Sequence, residues 1–223
     1  MRDRPFREDR WRPAARDLRW LLDRGYPRQP ALAFVGNHFQ LHQGERDLLY
    51  RGIFRRDQAR ARRARRVRLR DLAGRGLAID GHNVLITLES ALRGRPLLVA
   101  DDGFVRDVSR VFRRFRPTDR TRAAWGLVGA CLRDHPPAEV LVVLDAPLPR
   151  SGELAGRIRR WMREAGIPGE VRAVRRPEGV LAAFDGVAAT ADSVVLDRHP
   201  ALLDLAGHII RRRLRVRPWR MPR

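Results

Sequence analysis

The fold class this 223-residue chain predicts is α/β: a mainly parallel sheet covered by helices on both faces, behind a small, mainly helical N-terminal module. Three observations predict it. From Gly76 onward, short apolar runs alternate with amphipathic stretches across short connections, the pattern of strands and crossover helices. Before Gly76 the apolar residues recur at helical spacing, interrupted by Gly and Pro. The hydrophobic fraction of 43% can fill a real core.

Residues 1 to about 12 are charged and expected to be loose. "PAARDLRWLLDRGYP" follows, with Leu18, Leu21 and Leu22 on one helical face, Pro13 near the start, and Gly25 and Pro27 past the end. "ALAFVGNHFQL" comes next, then a second helical stretch, "GERDLLYRGIF". The arginine-dense segment 55–72 reads either as a solvated helix or as a phosphate-contacting one. A boundary near residue 75 divides a basic module, 1–75, from an α/β domain, 76–223. In the latter the expected strands are 77–80, 96–100, 139–145, 170–174 and 186–192. Helices are expected at 83–92, about 104–114, 119–134, 151–165 and 200–213.

Charge is the loud feature: 47 basic residues, all arginine, face 26 acidic ones, for a formal net charge of +21. A GC-rich genome explains arginine in place of lysine, but not the excess itself. That excess predicts a polyanionic partner, and RNA is the expected one. The single cysteine, Cys131, has apolar neighbours and reads as core, which leaves neither a disulfide framework nor a zinc cluster. The basic N-terminus has no apolar h-region behind it, and no run of about 18 apolar residues exists. A soluble cytoplasmic protein with no membrane partner is the expectation; its oligomeric state is not legible.

Ligands of open parallel sheets bind beyond the carboxyl ends of the strands. Four expected strands end there in acids: Asp80, Asp101 with Asp102, Asp145, and Asp192 followed by Ser193. Any one of them also reads as a helix cap or turn residue. Gathered in one pocket, they would repel each other unless a cation sat among them. Oxygen ligands suit Mg²⁺ or Mn²⁺, and a two-metal pair would activate water and stabilise the leaving oxygen of a phosphodiester. Asn83 is expected to support Asp80, and His82 to sit at the surface or behind the ligands. Glu89 and Asp197 are secondary candidates, Asp197 equally as a cap. Arg106 and Asp107 read as a local ion pair.

"DGHN" after a strand, "VVLDAP" in the middle and "ATADSVVLD" near the end together resemble the PIN-like and NYN nuclease superfamily. That resemblance implies a PIN-like fold in which Asp80, Asn83, Asp145 and Asp192 match the metal-chelating pattern. Asp101 and Asp102 match it less well, because the family's second acid commonly sits in a helix, where Glu89 lies. The segment "DLRWLLDRGYPRQPALAFVGNHFQLHQGERDLLYRGIF" is similar to a prokaryotic family known as domain of unknown function 434, joined to a PIN-like C-terminal domain.

The expected activity is therefore metal-dependent hydrolysis of RNA. Arg60, Arg62, Arg63, Arg65 and Arg66, with Arg113, Arg114 and Arg116, are expected to clamp the backbone. Phe39, Tyr50 or Trp125 would stack on bases if they are not core. The alternative is a non-catalytic RNA- or ribosome-binding protein that retains the fold. A nucleotide-dependent enzyme is disfavoured, since neither a P-loop nor a G-x-G-x-x-G turn is present. In "GNHFQLHQGER", His38, Gln40, His42 and Glu45 suit an RNA-contacting loop or a structural turn; a metal there lacks a third ligand.

Overall fold

The computed structural model describes residues 8–109 and 115–221, so Arg113 and Arg114 lie outside the described residues. Four helices come first: α1 (Glu8–Asp23), α2 (Arg28–His38), α3 (Gln43–Gly52) and α4 (Arg56–Ala64). The inward faces of α1, α2 and α3 bury Leu18, Leu22, Leu32, Val35, Leu48 and Leu49 in a common core, while Ala59 of α4 packs with Phe54 and Ala100. The histidine-rich connection between α2 and α3 is a structural turn. His42 caps α3, its Nδ1 accepting from the Glu45 amide at 3.4 Å while Glu45 Oε2 accepts from the His42 amide at 3.0 Å. Gln40 takes a left-handed conformation (φ 50°) in that turn, and His38 packs edge-on against Phe39.

The main sheet contains β1 (Gly76–Asp80), β4 (Glu139–Asp145), β5 (Gly169–Val174), β6 (Val187–Ala189) and β7 (Leu202–Leu203), all parallel, in the order β5-β4-β1-β6-β7. Side chains alternate across it. Leu77 and Ile79 of β1 and Val140, Val142 and Leu144 of β4 join the large core, with helices α5 (Gly81–Leu92), α6 (Asp119–Asp134), α7 (Ser151–Glu164) and α10 (Leu205–Arg212). Ala78, Leu141, Val143 and Ala188 face the short helices α8 (Pro177–Ala182) and α9 (Ser193–Arg198). Burial on both faces explains why β1, β4 and β6 read as unbroken apolar runs, whereas the edge strand β5 is largely exposed. Cys131 and Trp125 lie in the large core.

Two sequence expectations fail in the same region. The apolar run at 96–100 forms β2 (Leu97–Val99), yet β2 is not part of the parallel sheet. It pairs antiparallel with β3 (Val105–Asp107) and parallel with β8 (Trp219–Arg220). The helix expected from about 104 gives way to β3, because Gly103 (φ +82°) closes a tight turn whose amide donates to the Ala100 carbonyl at 2.8 Å. Further on, the helix expected over 200–213 begins as β7. Asp204 then starts α10, its Oδ1 accepting from the Gly207 amide at 3.1 Å.

The second sheet joins the N-terminal helices to the rest, since Leu98 of β2 and Met221 beyond β8 complete the helical core. Buried charges lock the junction. Asp102, fully buried in the β2–β3 turn, accepts from Arg106 at 2.7 Å and from Arg62 of α4 at 2.8 Å. Arg62, itself fully buried, also grips Asp197 of α9 at 2.7 and 2.9 Å. Arg19 of α1 forks onto Asp101 at 2.9 and 3.0 Å. Removing one partner of such a pair strands the other in a dry interior. Asp102→Asn is therefore expected to lower the unfolding free energy by about 3–5 kcal/mol, read from denaturant midpoints. A loss below about 1 kcal/mol, the level of a surface ion pair, would show that this network does not hold the two parts together.

Candidate metal and phosphodiester site

The chain runs outward from β1 to β4 and β5, then returns to β6 on the opposite side of β1. The winding reverses between β1 and β6, and a crevice opens at such a reversal beyond the carboxyl ends of the strands. "DGHN" fills it from one side. Asp80 ends β1 and caps α5, its Oδ1 accepting from the Asn83 amide at 3.1 Å. Gly81 is required by close packing, because a Cβ there would stand 2.6 Å from Leu144 Cδ2. "ATAD" fills the crevice from the other side. Thr190 Oγ1 donates to Asp80 Oδ2 at 2.8 Å and accepts from the Asp192 amide at 3.0 Å, and the Ala191 amide donates to Asn83 Oδ1 at 3.0 Å. Asp192 caps α9, its Oδ1 accepting from the Val194 amide at 2.9 Å.

Asp145 ends β4, the other neighbour of β1. Its amide donates to Nδ1 of His82 at 3.0 Å, so that nitrogen carries no proton. His82 is buried against Phe115, not exposed, and burial pulls its pKa down to about 4. This neutral imidazole ties the tip of β1 to the tip of β4 and stands behind the carboxylates.

Asp80 and Asp145 thus end β1 and β4, while the strand expected over 186–192 stops at Ala189 and leaves Asp192 three residues beyond β6, at the start of α9. Burial, with smaller contributions from the charges of Asp192 and Asp145, lifts the Asp80 pKa to about 7 against the pull of the Asn83 amide and the Thr190 hydroxyl. Burial also raises Asp145, with a contribution from Glu178 on α8. Glu178 is an acid of this site that sequence reading missed. It sits one residue inside a helix, where no strand-end rule would find it. Among the described residues, no three His, Cys, Asp or Glu side chains stand close enough to cage a metal on their own.

The other expected site residues lie elsewhere. Asp101 and Asp102 belong to the β2–β3 turn, outside the crevice, and their oxygens are engaged by Arg19, Arg62 and Arg106. Glu89 is buried between α5 and α6, bonded to the Thr121 hydroxyl at 2.6 Å and to Arg93 at 3.3 Å. Asp197 serves Arg62 and Gln58. The Ser193 carbonyl accepts from Arg62 at 3.3 Å, while its residue lines the cleft in front of Asp192. Arg106 pairs with Asp102 instead of Asp107, whose carboxylate accepts from Ser109 at 2.6 Å. Of the expected clamp, Arg62 is wholly internal. Arg60, Arg63, Arg66 and Arg116 are exposed, and Arg65 is half-buried. Arg65 donates to the carbonyls of Asp197 and His199 at 3.2 and 3.1 Å.

The fold defines a doubly wound parallel α/β protein with Asp80, Asp145 and Asp192 at the carboxyl edge of its sheet. The chain belongs to the family described as Domain of unknown function (DUF5616), which matches residues 69–208. Residues 11–65 match the model described as Protein of unknown function (DUF434), the resemblance expected from the N-terminal segment. The chain is 32% identical over 183 residues to an uncharacterized protein of Methanocaldococcus jannaschii, covering 82% of this chain and 87% of the relative. No solved structure matches the chain.

The raised Asp80 pKa sets a pH dependence with a definite sign. Between pH 3.8 and about 7 the unfolded chain has released this proton while the folded chain retains it. Stability therefore falls as pH rises through that window, and the loss is complete above it. Asp80→Asn keeps an acceptor for the Asn83 amide without the charge. In a metal-free chelating buffer, its unfolding free energy relative to wild type is expected to climb from pH 4 to pH 8. An unchanging difference across that range would rule out a raised Asp80 pKa.

Proposed function

We propose that the protein is a PIN-like, Mg²⁺- or Mn²⁺-dependent ribonuclease whose site is the switch-point crevice. One observation carries the reading: Asp80 and Asp145 end the adjacent parallel strands β1 and β4, Asp192 follows β6 on the other side of β1, and burial with its acidic neighbours lifts the Asp80 pKa to about 7. A cluster of that kind stores repulsion that a hard cation relieves. The donors are oxygens throughout, which suits Mg²⁺ or Mn²⁺ and not a thiolate or imidazole metal. A hydrated ion of this type keeps several waters and needs only one or two carboxylates directly, so the spread of the three aspartates fits it.

Such an ion, when bound, supplies an activated water and charge neutralisation for in-line displacement at phosphorus. The chain's own residues do the rest. Asp80 and Asp192 would hold the ion from the β1–β6 side and Asp145 from the β4 side. Asn83 and Thr190 fix Asp80 and the loop after β6 in one geometry, and His82 fixes the Asp145 backbone. A separate groove of about 590 Å³, sharing no lining residue with the cleft in front of Asp192, gathers Arg63, Arg66, Arg68, Arg70, Arg211 and Arg212. Its acid, Asp204, is already engaged by Arg211 at 2.9 Å. Arginine excess in a groove is the signature of phosphate binding. The reduced, buried Cys131 suits a cytoplasmic setting.

A second reading, a non-catalytic RNA-binding protein with this fold, draws on the absence of a preformed three-ligand cage among the described residues. One experiment separates them. Purified protein is incubated with single-stranded and structured RNAs and Mn²⁺, beside an Asp80→Asn, Asp145→Asn double variant. Wild type is expected to cut, the double variant to lose activity by roughly a hundredfold or more, and Mn²⁺ to raise the melting temperature of wild type alone. Cleavage persisting unchanged in the variant would sink the site assignment. Binding without cleavage in every sample would favour the second reading.

A further inference from the structure

A cleft of about 460 Å³ separates α2 and α3 from the acidic edge. Asn83, Asp192 and Val194 line one wall, Arg28 and Tyr50 the other, and Arg106 contributes to the lining. The second wall is unusual. Three guanidinium groups surround the buried ring of Phe54: Arg62 at 4.3 Å, Arg28 at 4.4 Å and Arg106 at 4.9 Å from its centroid. Asp102 and Asp197 satisfy Arg62, and Asp102 satisfies Arg106. Arg28 is left over. Its terminal nitrogen donates to the Tyr50 carbonyl, its plane lies 4.7 Å from the Tyr50 ring, and its Nε is buried with no hydrogen-bond partner among the described residues.

A cation in that position is costly. Burial draws the Arg28 pKa down to about 10, and its guanidinium neighbours add to the effect. A buried donor without a partner costs about 1–3 kcal/mol, so the arrangement calls for an anion. Beside it, Tyr50 is an exposed ring at 41% relative accessibility, facing a cleft whose Phe54 and Ile86 are buried and whose Val194 is also exposed.

We propose that Arg28 is the anchor of a phosphate subsite on the N-terminal helices, facing the carboxylate edge, and that Tyr50 stacks on the adjoining base. The ligand class is a phosphate group of a single RNA strand. The inference rests on RNA as the substrate but not on its hydrolysis. It gives the N-terminal helices a direct part in the site: they would place one phosphate at Arg28 while the chain continues past Asn83 and Asp192. Arg28 is a binding and positioning residue; the acids remain the reacting end.

The test measures binding in EDTA, where no metal chemistry runs. The probe is a hexauridylate carrying a 3′ fluorophore, made with and without a 5′ phosphate, and the readout is anisotropy across a salt series. Arg28→Gln is expected to weaken binding roughly tenfold or more, since a charge-assisted contact is lost. It should also flatten the salt slope by about 0.7, one phosphate on a single strand. Tyr50→Ala, at an exposed position, is expected to weaken binding roughly tenfold with the slope unchanged, and it carries the test if Arg28→Gln does not fold. A 5′ phosphate that strengthens wild type but not Arg28→Gln identifies the chain end as the ligand. Equal strengthening of both identifies an internal phosphate. Wild-type affinity and slope in both variants would overturn the subsite, as would a wild type that binds neither probe. Arg28-dependent binding without cleavage in Mn²⁺ would retain the subsite and overturn the hydrolytic reading.

Discussion

Arg62 and Asp102 are both fully buried, and the geometry around them constrains most of the molecule. Burying a charge costs several kcal/mol unless a partner and further hydrogen bonds meet it. Asp102 is met by Arg62 from α4, by Arg106 from β3 and by the Phe104 amide at 3.1 Å. Burial alone would raise its pKa, yet the two guanidinium groups hold it at about 2. Because Arg62 also takes Asp197 from α9, one side chain joins the N-terminal helices, the β2–β3 hairpin and the helix that Asp192 caps. The N-terminal helices are consequently part of the framework that sets the loop after β6.

At the crevice the same atoms serve folding and site. Asp80 and Asp192 are helix N-caps, each accepting amide hydrogens that would otherwise be unsatisfied. The cap hydrogen bonds would hold a carboxylate ionised, while burial and like charges oppose ionisation. Burial prevails at Asp80, and a pKa lifted to about 7 makes its charge responsive to any cation brought near it. A cap alone needs no such neighbourhood, and a surface Asp, Ser or Asn would serve as well. Clustering, not capping, distinguishes these aspartates.

The arginines divide by role in a way their density hides. Arg19, Arg62 and Arg106 are structural cations with buried carboxylate partners. Arg63, Arg66, Arg68 and Arg70 line an open groove. Arg28 belongs to neither group, being recessed like the first but with a backbone carbonyl in place of a carboxylate and a buried Nε without a hydrogen-bond partner among the described residues. A net charge of +21 thus overstates the nucleic-acid surface in some segments and, at Arg28, understates it.

Much of this was legible from residue order. Continuous apolar runs gave away β1 and β4, which are buried on both faces; the helix over 119–134 matches α6 at both ends; and the acids ending β1 and β4 are where strand-end reasoning placed them, whereas Asp192 stands three residues past the end of β6. Local chemistry suffices there, because an apolar strand followed by Asp-Gly or Ala-Asp needs no distant information to turn. Sheet membership is different. "PLLVA" and "VAA" look alike as sequences, but β2 pairs with β3 and β8 while β6 pairs with β1. That choice is made by long-range packing against the N-terminal helices and Met221. It turned Asp101 and Asp102 from expected ligands into ion-pair anchors, with Arg62 buried against Asp102. Residue order specifies which groups stand at a strand's end; the pairing of strands far apart in the chain specifies which of those ends meet.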